Sequence, residues 1–447
     1  MKGYFLASYN RLFRLVEWGR ARFTRAGWMV AAMAGLSGVV GVDTHLSLAY
    51  QIFAFLAALL ALSMLHGLLF RARFTAERRL PRLGTVGTPL GYRVRITAGP
   101  RGIPAGLRLR EQLPDPRPDR ETFLRTPEPG EARRNFFDRF TGYYRWEWLT
   151  HRRRFGRARS HPVPPLAPGA TETVRMSLVP RRRGRLVLCG LTLLRPDPLG
   201  LFMGAVGFRR HQSLVILPRR HPLPPLRMPG GRRHHAGGVA LTSSVGDTEE
   251  FVSLREYRPG DPLRRIHWRS WARTGRPVVK EHQEEFFVRH ALALDTFIET
   301  AESEAFEAAV SVAASFACTV QTQESLLDLL FVGTEAVRVT AGRGLGDTDH
   351  TLEVLAGVRP SRVPSFSRLT AFVARRSATL SGCICVLLAW DAPRRELVRL
   401  LRGVGVPVWV LVVSDTDDEL DPGPLADRPG DFHLIHPRRV AEGLARL

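Results

Sequence analysis

Lysine is almost missing from this chain of 447 residues: Lys2 and Lys280 are the only two among 65 basic side chains, and the rest are arginine. A formal net charge of +23 would ordinarily point to nucleic acid or an anionic surface. Arginine in place of lysine is, however, what GC-rich coding produces on any solvated face, so no nucleic-acid partner is expected. Cysteine is scarce as well. Cys189, Cys318, Cys383 and Cys385 each lie in an apolar run without CxxC spacing, which excludes a disulfide framework and reads as reduced, buried thiols in a cytoplasmic compartment.

Catalytic signatures are also absent: there is no Walker A loop, HExxH, GxSxG or zinc spacing. Gly342-Arg343-Gly344-Leu345-Gly346-Asp347 lacks GxGxxG spacing and reads as a glycine-rich turn. His267, His282 and His290 lie near Asp261, Glu281, Glu284 and Glu285, and an acid/base pair among them would suit a hydrolase. Chance proximity in so dense a stretch explains them equally well. No catalytic residue and no cofactor is expected.

What the chain does have is apolar length near its start. Ala26 to Val42 and Leu46 to Phe70 are two uncharged apolar stretches, of about the length that crosses a bilayer core of about 30 Å. Only Asp43, Thr44 and His45 separate them. Arg11, Arg14, Arg20, Arg22 and Arg25 precede the pair, and Arg71, Arg73, Arg78, Arg79 and Arg82 follow it. The positive-inside rule then predicts a hairpin in the cytoplasmic membrane with both termini cytoplasmic. Its small residues would let the first helix pack closely on the second, and His66 reads as a snorkelling or hydrogen-bonded side chain.

From residue 84 to about 220, segments such as GYRVRITAG, ETVRMSLVP and GRLVLCGLTLL alternate or run apolar between Gly and Pro, which predicts an all-β, sandwich-like region. An aromatic and arginine-rich insert, residues 114–165, has no clean period. Packing against the sandwich is the expectation there, with partner or lipid-surface binding as the alternative. Residues 221–247, rich in Pro, Gly and basic side chains, read as a linker, with His234 and His235 solvated in it. After residue 286, strands alternate with helices. The expected strands end at Asp295, Gly333, Gly342, Trp390 and Ser414, with helices at about 301–321, 364–376 and 393–402. The fold class is therefore multi-domain: a helical hairpin (1–83), a β region, a linker, a distinct segment at 248–285 and a C-terminal α/β region (286–447).

The segment Arg255 to Glu285 is the densest in information. Pro259-Gly260-Asp261-Pro262 must turn tightly, and five arginines then surround Trp268 and Trp271. Three elements occur in order: Arg183-Gly184; Asp197-Pro198-Leu199-Gly200-Leu201-Phe202; and Tyr257-Arg258-Pro259-Gly260-Asp261 through Arg265, Trp268, Ala272, Arg273 and Gly275. In these the chain resembles the bacterial family known as domain of unknown function 58. The resemblance implies a C-terminal region like a von Willebrand factor A domain and, as partner, a MoxR-type AAA+ ATPase. It also marks Tyr257, Gly260, Asp261, Arg265, Trp268, Ala272, Arg273, Gly275, Asp197 and Gly200 as signature or interaction residues.

In a von Willebrand factor A domain, a divalent cation needs Asp-x-Ser-x-Ser after the first strand. The chain has Asp295-Thr296-Phe297-Ile298-Glu299 instead, so the metal site is expected to be degenerate, with Asp295 and Asp391 its remaining carboxylates. The expected role is a membrane-anchored scaffold or adaptor that touches the lipid bilayer, an AAA+ ATPase and other membrane proteins. An envelope-associated hydrolase is the alternative. For the Asp261–Arg273 segment, burial of its tryptophans at a joint between the β and α/β regions is expected over a docking face.

Overall fold

The computed structural model describes residues 2–41, 47–225, 250–259, 261, 263, 266–283, 289–298, 302–321, 326–342, 348–361, 366–416 and 420–447. The Asp43–His45 loop, His234, His235, most of the expected linker, Gly260, Pro262, Arg264, Arg265, Glu284, Glu285, Glu299, Gly344 and Gly346 lie outside the described residues.

Three helices open the chain: α1 (Lys2–Arg22), α2 (Arg25–Val40) and α3 (Ser47–Leu68). Within α3, Leu48–Leu68 is long and apolar enough to cross a membrane, and only 6% of its apolar stretch is buried. That exposure distinguishes it from the core helix of a soluble fold. The 16 described residues of α2 span about 24 Å against about 30 Å for a bilayer core, and residues 42–46, which follow Gly41, lie outside the described residues. The two pack through glycines: a Cβ at Gly38 would meet the Phe53 ring at 3.1 Å, and one at Gly41 would meet the Tyr50 backbone at 3.1 Å.

The middle part holds two sheets. Strands β1 (Phe74–Arg79), β2 (Leu83–Thr85), β3 (Leu90–Ala98), β4 (Arg108–Gln112), β5 (Gly156–Ala158), β6 (Ser160–Pro162), β7 (Thr171–Pro180), β8 (Gly184–Pro196) and β9 (Met203–Leu217) order as β1-β3-β7-β5 and β2-β9-β8-β4-β6. The alternation read in the sequence is seen directly, since β3 buries every second residue. Val94 and Ile96 from one sheet share a core with Leu109, Leu188 and Ile216 from the other. One charged group crosses that core. Arg78 on β1 donates to both Glu111 oxygens on β4 at 2.7 and 3.2 Å, and Tyr92 donates to Glu111 at 2.8 Å. Arg78, counted above among the charges flanking the hairpin, is thus a buried tie between sheets.

The aromatic insert is helical: α4 (Arg120–Arg125), α5 (Phe136–Thr141) and α6 (Tyr143–Arg153). It packs on α1. Leu6, Phe123, Trp146 and Leu149 form a small core of their own, bordered by Tyr9, Phe13 and Trp148, and Trp146 Nε1 donates to Asn10 Oδ1 at 3.0 Å.

Strands β10 (Glu250–Glu256) and β11 (Val278–Gln283) form a two-stranded sheet around the short α7 (Trp268–Thr274), with Ile266 bridging to Val279 of β11. The C-terminal part then contains β12 (Arg289–Leu294), α8 (Glu304–Gln321), β13 (Leu326–Val332), β14 (Ala336–Ala341), α9 (Thr348–Gly357), α10 (Ser367–Ala374), β15 (Gly382–Leu387), α11 (Ala392–Gly403), β16 (Val408–Val413), β17 (Phe432–Ile435) and α12 (Val440–Ala445). Its sheet orders as β14-β13-β12-β15-β16-β17, parallel except for β14. The five expected strands and three expected helices all form. Strand β17 and the helices α9 and α12 were not foreseen; β17 and α12, at four and six residues, are too brief to show a period.

Leu83, Val215 and Leu217 of the middle part join the core of this sheet, so apolar packing runs across the boundary. Ionic contacts line the same boundary. The acidic start of α8 takes arginines from three directions: Arg152 and Arg438 reach Glu304, each at 3.3 Å, and Arg182 reaches Glu302 at 3.3 Å. They border a cleft of about 830 Å³.

Candidate functional site

The three signature elements do not converge. Each serves a separate place in the molecule, and two of them are joints.

Arg183 joins the middle and C-terminal parts. Its side chain is 6% exposed, ion-paired to Glu307 and laid over the Phe306 ring at 5.2 Å. It donates to Leu355 O at 3.2 Å and Val358 O at 2.6 Å. These carbonyls lie at and just past the C-terminal end of α9, where helix carbonyls run short of backbone donors; Leu355 O also accepts from Val358 N at 3.4 Å.

The Asp197–Phe202 turn joins the middle part to the apolar helices. Buried Asp197 accepts from the N–H of Leu199 at 3.1 Å and of Phe202 at 2.7 Å. Gly200, at φ +69°, supplies the left-handed corner that a side chain would resist. Thr24, the N-cap of α2, donates its hydroxyl to Gly200 O at 2.6 Å. Phe202 is fully buried, meets Phe23 edge-on at 5.1 Å and lies where a Cβ on Gly67 of α3 would fall.

The third element is an exposed hairpin. Asp261 accepts from both Arg255 Nη atoms at 2.7 Å and from Arg258 N at 2.9 Å. Its Arg255 partner holds the carboxyl down, at about 2. Tyr257 N donates to Pro277 O and His267 N to Val278 O, which closes the turn on β11. Gly275, at φ +70°, ends α7. On this braced frame Trp268 stacks on Trp271 at 5.1 Å and is 63% exposed. Leu254 and Leu263 are exposed beside it, as are Ala272 and Arg273. The expected burial of both tryptophans at a joint does not occur. The physical reason is that β10 and β11 form a two-stranded sheet of their own, and among the described residues no second layer covers the rings.

At the end of β12, fully buried Asp295 sits at the point where strand order reverses, the usual ligand position in an open parallel sheet. A guanidinium already fills that position. Arg394 Nε donates to Asp295 Oδ2 at 2.6 Å, Nη1 to Asp391 Oδ2 at 2.6 Å and Nη2 to Phe297 O at 3.2 Å. Leu388 N and Phe297 N complete the Asp295 carboxylate at 3.0 and 2.9 Å. Burial pushes the Asp295 carboxyl up, opposed by Arg394 and these two amides. Burial likewise works against the Arg394 charge, but Asp295 and Asp391 outweigh it and raise its pKa. We read the pair as ionic, because the carboxylate is fully hydrogen-bonded. A divalent cation does not fit beside Asp295 with Arg394 in place. Sequence reasoning found both carboxylates and missed the arginine, although Asp391 three residues ahead of Arg394 is a legible N-cap.

The candidate acid/base group is divided. His267 Nδ1 is 2.7 Å from Ser270 Oγ on the hairpin, whereas His290 is buried in β12 with Nδ1 unpartnered and its pKa lowered by burial to about 4.

Residues 253–423 match the family model described as protein of unknown function DUF58. The match takes in the hairpin, the Asp295 site and most of the C-terminal sheet. A curated relative, the uncharacterized protein YeaD of Bacillus subtilis (strain 168), is 31% identical over 162 residues, which is 36% of this chain and 39% of the relative. The chain thus matches about two fifths of that protein's length.

Proposed function

We propose that the chain is a membrane-anchored scaffold or adaptor facing the cytoplasm, and that the β10–α7–β11 hairpin is its docking element. On this reading α2 and α3 form a transmembrane hairpin with both termini cytoplasmic, the two middle sheets form a β-sandwich, and the C-terminal part is a von Willebrand factor A-like unit. The partner is a MoxR-type AAA+ ATPase, as the sequence resemblance implies.

The observation that carries the docking role is the exposure of Trp268, Leu254 and Leu263 on a frame held rigid by Asp261. Aromatic and arginine side chains on a pre-ordered surface are what protein interfaces use as anchors. The Asp295 position supports an adaptor over a metal-dependent binder, since Arg394 supplies the positive charge there. His267 and His290 lie on different elements, the hairpin and β12, and the side chains of Glu281, His282, Glu284 and Glu285 lie outside the described residues, so no acid/base pair supports the hydrolase alternative among the described residues.

The test is purification of tagged chain from native membranes with nucleotide present, in wild type, Trp268→Ala and Arg273→Ala forms. An AAA+ ATPase should accompany the wild type and be lost from both variants at unchanged melting temperature. Equal capture by the variants would remove the hairpin from the interface, and a collapsed melting temperature would return it to a structural role.

A further inference from the structure

We infer that α1, together with the tip of α5, lies in the headgroup layer of an anionic phospholipid membrane. The inference rests on the reading of α2 and α3 as membrane helices and adds a second, interfacial contact to it.

The two sides of α1 differ sharply. Leu6, Tyr9, Asn10, Phe13 and Glu17 recur at helical spacing and face the insert. On the opposite side, Ser8, Leu12, Leu15 and Gly19 follow at i, i+4, i+7 and i+11, with Trp18 beside them. Leu12 is 59% exposed, Leu15 67% and Trp18 41%. In water such a row has no reason to persist on an otherwise basic helix.

Both ends of the row point to lipid. At its C-terminal end a Cβ on Gly19 would meet the Trp28 ring of α2 at 3.2 Å, so this face of α1 turns toward the apolar helices. Only Phe23 and Thr24 separate α1 from α2, and the Asp197–Phe202 turn fixes that corner. At the N-terminal end Phe5, between the two sides, stacks on Tyr9 at 6.3 Å and meets Phe140 edge-on at 5.8 Å, and Phe140 stacks on Phe136 at 6.0 Å. Phe136 and Phe137 are 80% and 71% exposed. Arg11 and Arg14 flank the row and are exposed. An apolar stripe bordered by arginine and continuous with a membrane helix matches the chemistry of an interface-plane helix on anionic lipid.

The experiment places single nitroxides at Leu15→Cys, Phe136→Cys and, for reference, Phe55→Cys in α3. The full chain, with Cys189→Ser and Cys318→Ser, is reconstituted in nanodiscs of phosphatidylglycerol and phosphatidylcholine. Collision with oxygen is compared with collision with an aqueous nickel chelate. Labels at 15 and 136 should favour oxygen at headgroup depth, with 55 deeper. A second variant, Arg11→Glu with Arg14→Glu, should shift the label at 15 toward the chelate while leaving 55 unchanged. Chelate-accessible labels at 15 and 136 with 55 still deep would overturn the interfacial helix alone. All three chelate-accessible would overturn the membrane reading as well.

Discussion

Arg394 holds two carboxylates and a backbone carbonyl on one guanidinium, at the carboxyl end of the interior strand β12 where Asp295 has no access to water. Removing one partner of such a pair leaves an uncompensated charge, which costs about 3–5 kcal/mol. Arg394→Met should therefore lower urea-unfolding stability by that order, and Arg394→Met with Asp295→Asn should recover part of it. Equal losses in the single and double variants would show the pair to be uncoupled. His290 makes the opposite kind of prediction. Its folded pKa of about 4 lies below the ordinary 6.5, so the unfolded chain binds the extra proton between those values. Stability should fall as pH drops from about 6.5 to 4, by on the order of 3 kcal/mol from this residue. His290→Leu should flatten that part of the pH profile. An unaltered profile would assign the acid sensitivity elsewhere.

At the scale of elements, the Asp197–Phe202 turn was legible in sequence as a Pro-bracketed corner with one acid and apolar anchors. Its target was not. Thr24 and Gly67 lie more than a hundred residues away, and nothing local marks them as the seat of Phe202. Asp197→Ala would strand the buried amide of Phe202 and release that of Leu199, at about 1–3 kcal/mol. Gly67→Leu would drive a side chain into the Phe202 ring. Both should lower the melting temperature in detergent and raise protease cleavage between α3 and β1, and Leu199→Ala, at an exposed position of the same turn, should do neither. The α1 helix shows the reverse case. Its spacing of Leu6, Tyr9 and Phe13 is plain in the sequence, yet the arginines around it read first as flanking charge for the hairpin.

Over the whole molecule, the middle and C-terminal parts are held by Arg183 at the end of α9 and by an apolar seam through Leu83, Val215 and Leu217. Arg183→Ala should loosen this seam while leaving both cores intact. Limited proteolysis should then cut within residues 218–250 faster, with far-ultraviolet circular dichroism unchanged. An unchanged cutting rate would mean that the apolar seam and the ion pairs at Glu302 and Glu304 hold the joint without Arg183. Arg183→Lys should restore little, because a single ammonium cannot reach two carbonyls and Glu307 with a planar fork.

By itself the sequence determined the local rules: period-two burial in β3, the apolar length of α3, the strand and helix alternation after residue 286, and the turn at Asp197–Phe202. Those depend on neighbours a few residues apart. Only the tertiary structure decided where these residues sit. It set Arg183 on a helix end, Asp197 under the apolar helices, Arg394 between two carboxylates, and Trp268 in solvent. Each of these pairings joins residues distant in the chain or depends on whether a second layer covers them, and neither composition nor periodicity carries that information.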